Sequence, residues 1–242
     1  MKQILITGAS GGIGTAIARE LASPRCSLFL HYHKNVEDVK QLAIDCQGKG
    51  ANVELLHADL SRHDGDEQLL KNIPSDCTFQ TIVHNAGVSQ FGLFPDVTNK
   101  QLTDIMNIHL LNPMKITRSL LPNMIRSQQG KIIMISSIWG LTGASCEVIY
   151  SAAKGGVNSF VKGLAKELAP SNIQVNAIAP GAVETNMLTR QGIDLLEELK
   201  TDIPANALGQ PIDVAHAVAF LSSNKANYIN GHILSINGAW YC

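Results

Sequence analysis

A doubly wound α/β sandwich on a seven-stranded parallel sheet is the fold class this sequence predicts, and three observations carry it. Short aliphatic and β-branched runs alternate with longer amphipathic stretches from end to end; the runs are continuously apolar, as in strands buried on both faces; and 242 residues suit one α/β core. With 45% hydrophobic and 16% charged residues the chain can bury a full core, which excludes a disordered protein. Balanced charge, 19 basic against 20 acidic side chains, excludes a basic nucleic-acid binder.

The expected strands, in order, are residues 4–7, 27–31, 53–57, 81–84, 131–136, 173–178 and 232–236. Between the first two, residues 12–21 place Ile13, Ala16, Ile17, Ala18 and Leu21 at helical spacing. After the second strand, Asn35 is expected to cap a helix whose first turn holds Glu37 and Asp38, where negative charge meets the dipole. Residues 151–169 repeat the helical pattern with Val157, Phe160, Val161, Leu164 and Leu168. No linker or repeat interrupts the series, so residues 1–242 are expected to form one domain. No run reaches the ~18 apolar residues of a membrane span, and the N-terminus meets a glycine too early for a signal-peptide core, so a cytoplasmic protein without membrane partners is expected. Cys26, Cys46, Cys77, Cys146 and Cys242 form no C-x-x-C pair and the eight histidines no H-E-x-x-H, which predicts no metal site.

The chemistry begins where the first strand becomes the first helix, at Thr7-Gly8-Ala9-Ser10-Gly11-Gly12-Ile13-Gly14. Glycines there permit a tight turn and close approach of a dinucleotide pyrophosphate to the free N–H groups of the helix, with Gly8, Ser10, Gly12, Ile13 and Gly14 as candidate contacts. The second strand ends at Tyr32-His33-Lys34 with no carboxylate to take ribose hydroxyls. His31, His33 and Lys34 favour a 2′-phosphate instead, hence NADP(H), with Tyr32 and His33 as candidate contacts. Asp59-Leu60 follows the third strand and Asn85-Ala86-Gly87 the fourth, both at carboxyl ends, where ligands sit in open α/β sheets. Tyr150 and Lys154, four residues apart, share a face of the helix after the fifth strand, whose carboxyl end carries Ser137.

These pieces, together with Pro180-Gly181-x3-Thr185, resemble the short-chain dehydrogenase/reductase family over essentially the whole chain. Segments 180–187, 208–211, 218–222 and 229–238 are most similar to 3-oxoacyl-[acyl-carrier-protein] reductases, enzymes of fatty acid biosynthesis. The resemblance implies a Rossmann-type fold and reduction of a carbonyl, here a 3-oxoacyl thioester, to a secondary alcohol. Tyr150 would donate the proton, its phenol made more acidic by Lys154 and the oxidised nicotinamide; Lys154 would also hold the ribose, and Ser137 the substrate oxygen. Pro180, Gly181, Val183 and Thr185 would hold the carboxamide side of the cofactor, and Asp59 the adenine.

Two positions depart from the family pattern. His109 stands where a catalytic Asn is usual, with Asn107 and Asn112 off register, and Gly11 stands where NADP-preferring relatives often carry a cation. Residues 184–208 are expected to form a substrate lid, with Leu188, Ile193, Leu196, Leu199 and Ile203 as its apolar positions. Arg126, Lys131 and Arg190 are the candidate cations for an acidic acyl carrier protein. Small residues along the Tyr150 helix (Ala152, Ala153, Gly155, Gly156, Gly163, Ala165) suit close packing in a homotetramer, the usual assembly of related reductases. The alternatives are a dehydrogenase of another small alcohol or ketone, and a cofactor-binding regulatory protein with weakened activity.

Overall fold

The computed structural model describes residues 1–189 and 193–242. In chain order it contains β1 (Lys2–Ile6), α1 (Gly12–Leu21), β2 (Cys26–Tyr32), α2 (Val36–Gly48), β3 (Asn52–His57), α3 (Gly65–Leu70) and β4 (Thr81–His84). There follow α4 (Asn99–Met106), a π-helical turn at Asn107–Leu111, α5 (Asn112–Ser127), β5 (Gly130–Ile135), α6 (Trp139–Thr142) and α7 (Val148–Leu168). The chain ends with β6 (Ile173–Pro180), α8 (Asn186–Thr189), α9 (Ile193–Asp202), α10 (Pro211–Leu221) and β7 (Ile233–Ile236). All seven strands are parallel, in the order β3-β2-β1-β4-β5-β6-β7.

Each apolar run divides between two cores because successive strand side chains point to opposite faces. Ile4, Ile6, Leu28, Leu30, Ile133 and Ile135 meet Ile17, Ala18, Val214 and Val218 of α1 and α10. Leu5, Phe29, Ile132 and Met134 meet Ile116, Leu120, Val157 and Val161 of α5 and α7. These side chains are almost wholly buried, so truncating a central one such as Ile17 to Ala would cost ~2–5 kcal/mol. The strand order reverses between β1 and β4, which opens a crevice at their carboxyl ends.

Local signals behave unevenly. Thr98 and Gln101 form a reciprocal capping box that ends the β4–α4 loop. Asn35 occupies the N-cap of α2, with Glu37 and Asp38 in the first turn, but its side chain makes no capping hydrogen bond. A one-turn helix, α6, intervenes before α7, so the Tyr150 helix does not follow β5 directly. Much of the small-residue stripe on α7 serves the chain itself. Ala153 and Ala165 are buried, and a Cβ on Gly156 would press within 2.8 Å of Leu110. Among the described residues no helix is long and apolar enough to cross a membrane.

Candidate active site

The glycine turn is tied down from three directions. Gly8 adopts φ +65°, and a Cβ on Gly14 would collide with the Gly8 carbonyl. Asn85 Nδ2 donates to the Thr7 and Gly8 carbonyls at 3.1 and 3.0 Å, while Thr7 Oγ1 accepts from the Asn85 and Ala86 N–H groups. Asn85-Ala86-Gly87 thus meets the turn through hydrogen bonds that span the β1–β4 switch point. Thr185 meets it from the other side: a Cβ on Gly12 would stand 3.0 Å from its methyl group. No side chain caps the N-terminus of α1, which leaves its first-turn donors to a ligand, the condition a pyrophosphate needs. A dinucleotide fits this cradle.

His31 has a different part from the one its charge suggested. It is 2% exposed; its Nδ1 accepts the Gly8 N–H at 3.0 Å and its Nε2 faces the Ala58 carbonyl at 3.1 Å. The ring is therefore the neutral Nε2–H tautomer, and burial holds its pKa down at about 4. It braces the turn and is not a cation for a 2′-phosphate. His33 and Lys34 occupy more exposed positions. His33 Nε2 lies 3.7 Å from Asp59 Oδ2, and Tyr32 packs edge-on against His57. Partial burial works to raise the Asp59 pKa, but hydrogen bonds from the Ser61 hydroxyl and N–H hold it below its ordinary value.

The Leu60 side chain lies in the core, and its carbonyl accepts from Asn112 Nδ2 at 2.8 Å. Asn107 Nδ2 similarly holds the Ser61 carbonyl, and Asn112 also reaches that of Arg62. These two asparagines clamp the loop bearing Asp59, a role the sequence reading missed because the contacts span about fifty residues.

Ser137, Tyr150 and Lys154 gather at the carboxyl end of β5. Lys154 Nζ donates to the Ile135 carbonyl at 2.7 Å and lies 5.5 Å from the centre of the Tyr150 ring. Ser137 Oγ accepts the Trp139 N–H. Burial raises the Tyr150 pKa to about 12, eased by the Ser137 hydroxyl and reinforced by the Glu147 charge. Burial also lowers Lys154 to about 7. In the chain alone desolvation is the largest influence on the phenol.

His109 projects from the π-helical turn, 3% exposed. Its ring stands edge-on to Tyr150, centroids 5.0 Å apart, and fills the space above Gly87, where any Cβ would collide with it. Nε2 approaches both the Val88 carbonyl, at 2.7 Å, and the Val88 N–H, at 3.3 Å. It cannot serve both, and the shorter contact assigns it the proton. Nδ1 is then a buried acceptor with no partner among the described residues. Burial, and next the Lys154 charge, push the His109 pKa well below its ordinary value, so the ring is neutral.

Toward the substrate side, Val183 bridges to Gly209, which ties segment 180–185 to segment 208–211. Pro180 ends β6 and Gly181 follows it against Asn237. Ile203 is buried, and a Cβ on Gly238 would press within 2.7 Å of it, so this residue packs on the C-terminal tail. Leu188, Leu196 and Leu199 are half-buried; the side chain of Ile193, and Arg190, lie outside the described residues. Two expected carrier cations are misplaced. Lys131 is buried near the amino end of β5, bonded to Asn227, and Arg126 is in the last turn of α5. Both are thus at the opposite end of β5 from Ser137.

Comparison with known proteins adds the following. Residues 2–195 match the family model described as short chain dehydrogenase. The chain is 51% identical to "Uncharacterized oxidoreductase YmfI" of Bacillus subtilis (strain 168), covering 100% of this chain and 99% of the relative. It is 32% identical to "3-oxoacyl-[acyl-carrier-protein] reductase FabG" of Staphylococcus aureus (strain Mu50 / ATCC 700699), covering 99% and 98%. Among solved structures, the angucycline C-6 ketoreductase LanV with bound NADP superposes with a TM-score of 0.89 at 26% identity, covering 98% of this chain and 94% of that one.

Proposed function

Because the chain belongs to the short-chain dehydrogenase/reductase family of oxidoreductases, we propose that it uses NADP(H) to reduce a carbonyl, as a 3-oxoacyl thioester, to a secondary alcohol. The observation that carries this reading is the gathering of Ser137, Tyr150 and Lys154 at the end of β5. The uncapped α1 turn would hold the pyrophosphate, with Ser10 and Ile13 in contact. Asp59 would hold the adenine, His33 and Lys34 the 2′-phosphate, and Pro180, Gly181, Val183 and Thr185 the carboxamide side. When bound, the reduced nicotinamide supplies the hydride.

Ser137 orients the substrate oxygen within reach of Tyr150. A phenol whose pKa stands at about 12 keeps its proton at neutral pH and is ready to donate it. Lys154, released from the Ile135 carbonyl toward ribose hydroxyls, would stabilise the phenolate left behind. His109, its Nε2–H committed to Val88, offers Nδ1 as an acceptor in the path that returns a proton to Lys154. Residues 184–208 would close over the substrate, and the reading includes one domain over residues 1–242, a homotetramer and a cytoplasmic setting. The name of the Staphylococcus relative supports the thioester. A second reading, reduction of another small ketone without an acyl carrier protein, is favoured by the placement of Arg126 and Lys131 away from the site.

The test follows oxidation of NADPH and of NADH with an acetoacetyl thioester. Wild type is expected to prefer NADPH, and Tyr150→Phe to lose ~10²-fold or more in kcat while still binding NADPH. Turnover of Tyr150→Phe at the wild-type rate would overturn the assignment.

A further inference from the structure

The chain has two tryptophans, and the fold brings them together beside Ser137. Trp139 opens α6, two residues past Ser137, and Trp240 lies in residues 237–242, which follow β7. Their rings meet edge to face, centroids 5.2 Å apart and planes at 65°, and both residues are half-buried. Asn237 builds the turn that brings Trp240 back. Its Oδ1 accepts the Ala239 N–H at 3.0 Å, its carbonyl accepts the Trp240 N–H at 3.0 Å, and its Nδ2 donates to the Tyr241 carbonyl at 2.6 Å. Gly238 and Ala239 take φ of +59° and +66°, the second a conformation that a side chain disfavours. The turn is anchored where the Gly181 N–H donates to the Ile236 carbonyl at 2.9 Å and the Ala205 N–H to the Gly238 carbonyl at 3.1 Å. A Cβ on Gly181 would stand 3.5 Å from the Trp240 ring.

Resting on the carbonyl-reductase reading, we propose that Trp240 is a positioning residue for Ser137 and acts through Trp139. Ser137 Oγ accepts the Trp139 N–H at 3.2 Å, so the direction in which the hydroxyl offers its own proton follows the Trp139 peptide. The residues on either side of that peptide are anchored: the Ile138 N–H donates to the Pro180 carbonyl at 3.0 Å, and Asn158 Nδ2 to the Gly140 carbonyl at 2.9 Å. Trp139 itself is steadied through its indole, against which Trp240 packs. Without the Trp240 ring, the Trp139 side chain loses that neighbour, and the bond from its N–H to Ser137 loosens. Carbonyl reduction needs the substrate oxygen held in a near-attack position, so a small displacement of the serine hydroxyl costs more in kcat than in substrate binding. Trp240 touches no reacting atom in this scheme. Its turn also borders Gly181, assigned above to the carboxamide side, so cofactor affinity is measured separately.

The test is reduction of ethyl acetoacetate by NADPH, with NADPH affinity followed by calorimetry and folding by circular dichroism. Trp240→Ala is expected to lower kcat about tenfold, with the KM for the ketone and the Kd for NADPH each within about twofold of wild type. Trp240→Phe, which keeps a ring against Trp139, is expected to recover most of that loss. A double-mutant cycle gives the decisive comparison. In a Ser137→Ala background, assayed at high enzyme concentration, Trp240→Ala is expected to cost nothing further, because the group it positions is gone. If Trp240→Ala does not fold, Trp240→Leu takes its place in the cycle with the same expectations. An equal loss in both backgrounds, a loss confined to KM, or a wild-type kcat without the ring would overturn the proposal while the carbonyl-reductase reading stands. If wild type binds NADPH yet reduces neither ethyl acetoacetate nor an acetoacetyl thioester, the carbonyl-reductase reading fails and this proposal with it.

Discussion

Replacing His31 with leucine removes the brace under the glycine turn while keeping a buried side chain of similar bulk. The Gly8 N–H and the Ala58 carbonyl each lose their imidazole partner, and an unpaired buried polar group costs about 1–3 kcal/mol. His31→Leu should therefore be less stable than wild type by about 3 kcal/mol near neutral pH. The difference is expected to depend on pH. Folding lowers the His31 pKa from 6.5 to about 4, so between those values the unfolded chain binds the proton and the native protein does not. Wild-type stability from this group is then complete above about pH 6.5 and is lost as pH falls to about 4, a span worth about 3 kcal/mol. His84, held at about 3 by burial, adds a loss of the same sign in both proteins and cancels from the comparison. Urea unfolding followed by circular dichroism, at equal protein concentration from about pH 7.5 to about pH 4, should show the two curves converging in acid. A gap that stays constant across that range, or no gap at neutral pH, would refute the assignment of His31 as a neutral brace.

Gly87→Ala forces the His109 ring aside; a stability loss of about 1–3 kcal/mol in a melting experiment is expected, with a fall in kcat larger than any change in NADPH affinity. His33→Ala should raise the KM for NADPH about tenfold and leave that for NADH little changed, since only the phosphorylated ribose needs the ring. If Nδ1 of His109 serves the proton path, His109→Ala should lower kcat about tenfold or more at unchanged NADPH affinity. His109→Asn, which can also accept a hydrogen bond, should recover most of that loss in the same assay.

The alternating apolar runs were enough to place seven strands, since period and length are local properties, and boundaries such as those of β4 and α1 coincide with the pattern. The glycine turn, Ser137, Tyr150 and Lys154 were nameable for a similar reason: spacing within a few residues decides which groups share a turn or a helix face. Local spacing misled where a partner comes from far along the chain. Lys131 looked like a surface cation, yet its position near the amino end of β5 buries it against Asn227. Asn107 and Asn112 were discounted on register, yet they reach across the fold to hold the Asp59 loop.

By itself, then, the sequence determined the order of strands and helices and which chemical groups stand at the carboxyl ends of the sheet. Only the tertiary structure decided their protonation and their company. His31 and His109 are neutral, Tyr150 is made less acidic and Lys154 less basic, and Ser89 holds Glu147 within reach of the Tyr150 phenol. The physical reason is that the charge of a group is set by how much water and which dipoles surround it, and those are assembled from segments that no local pattern connects.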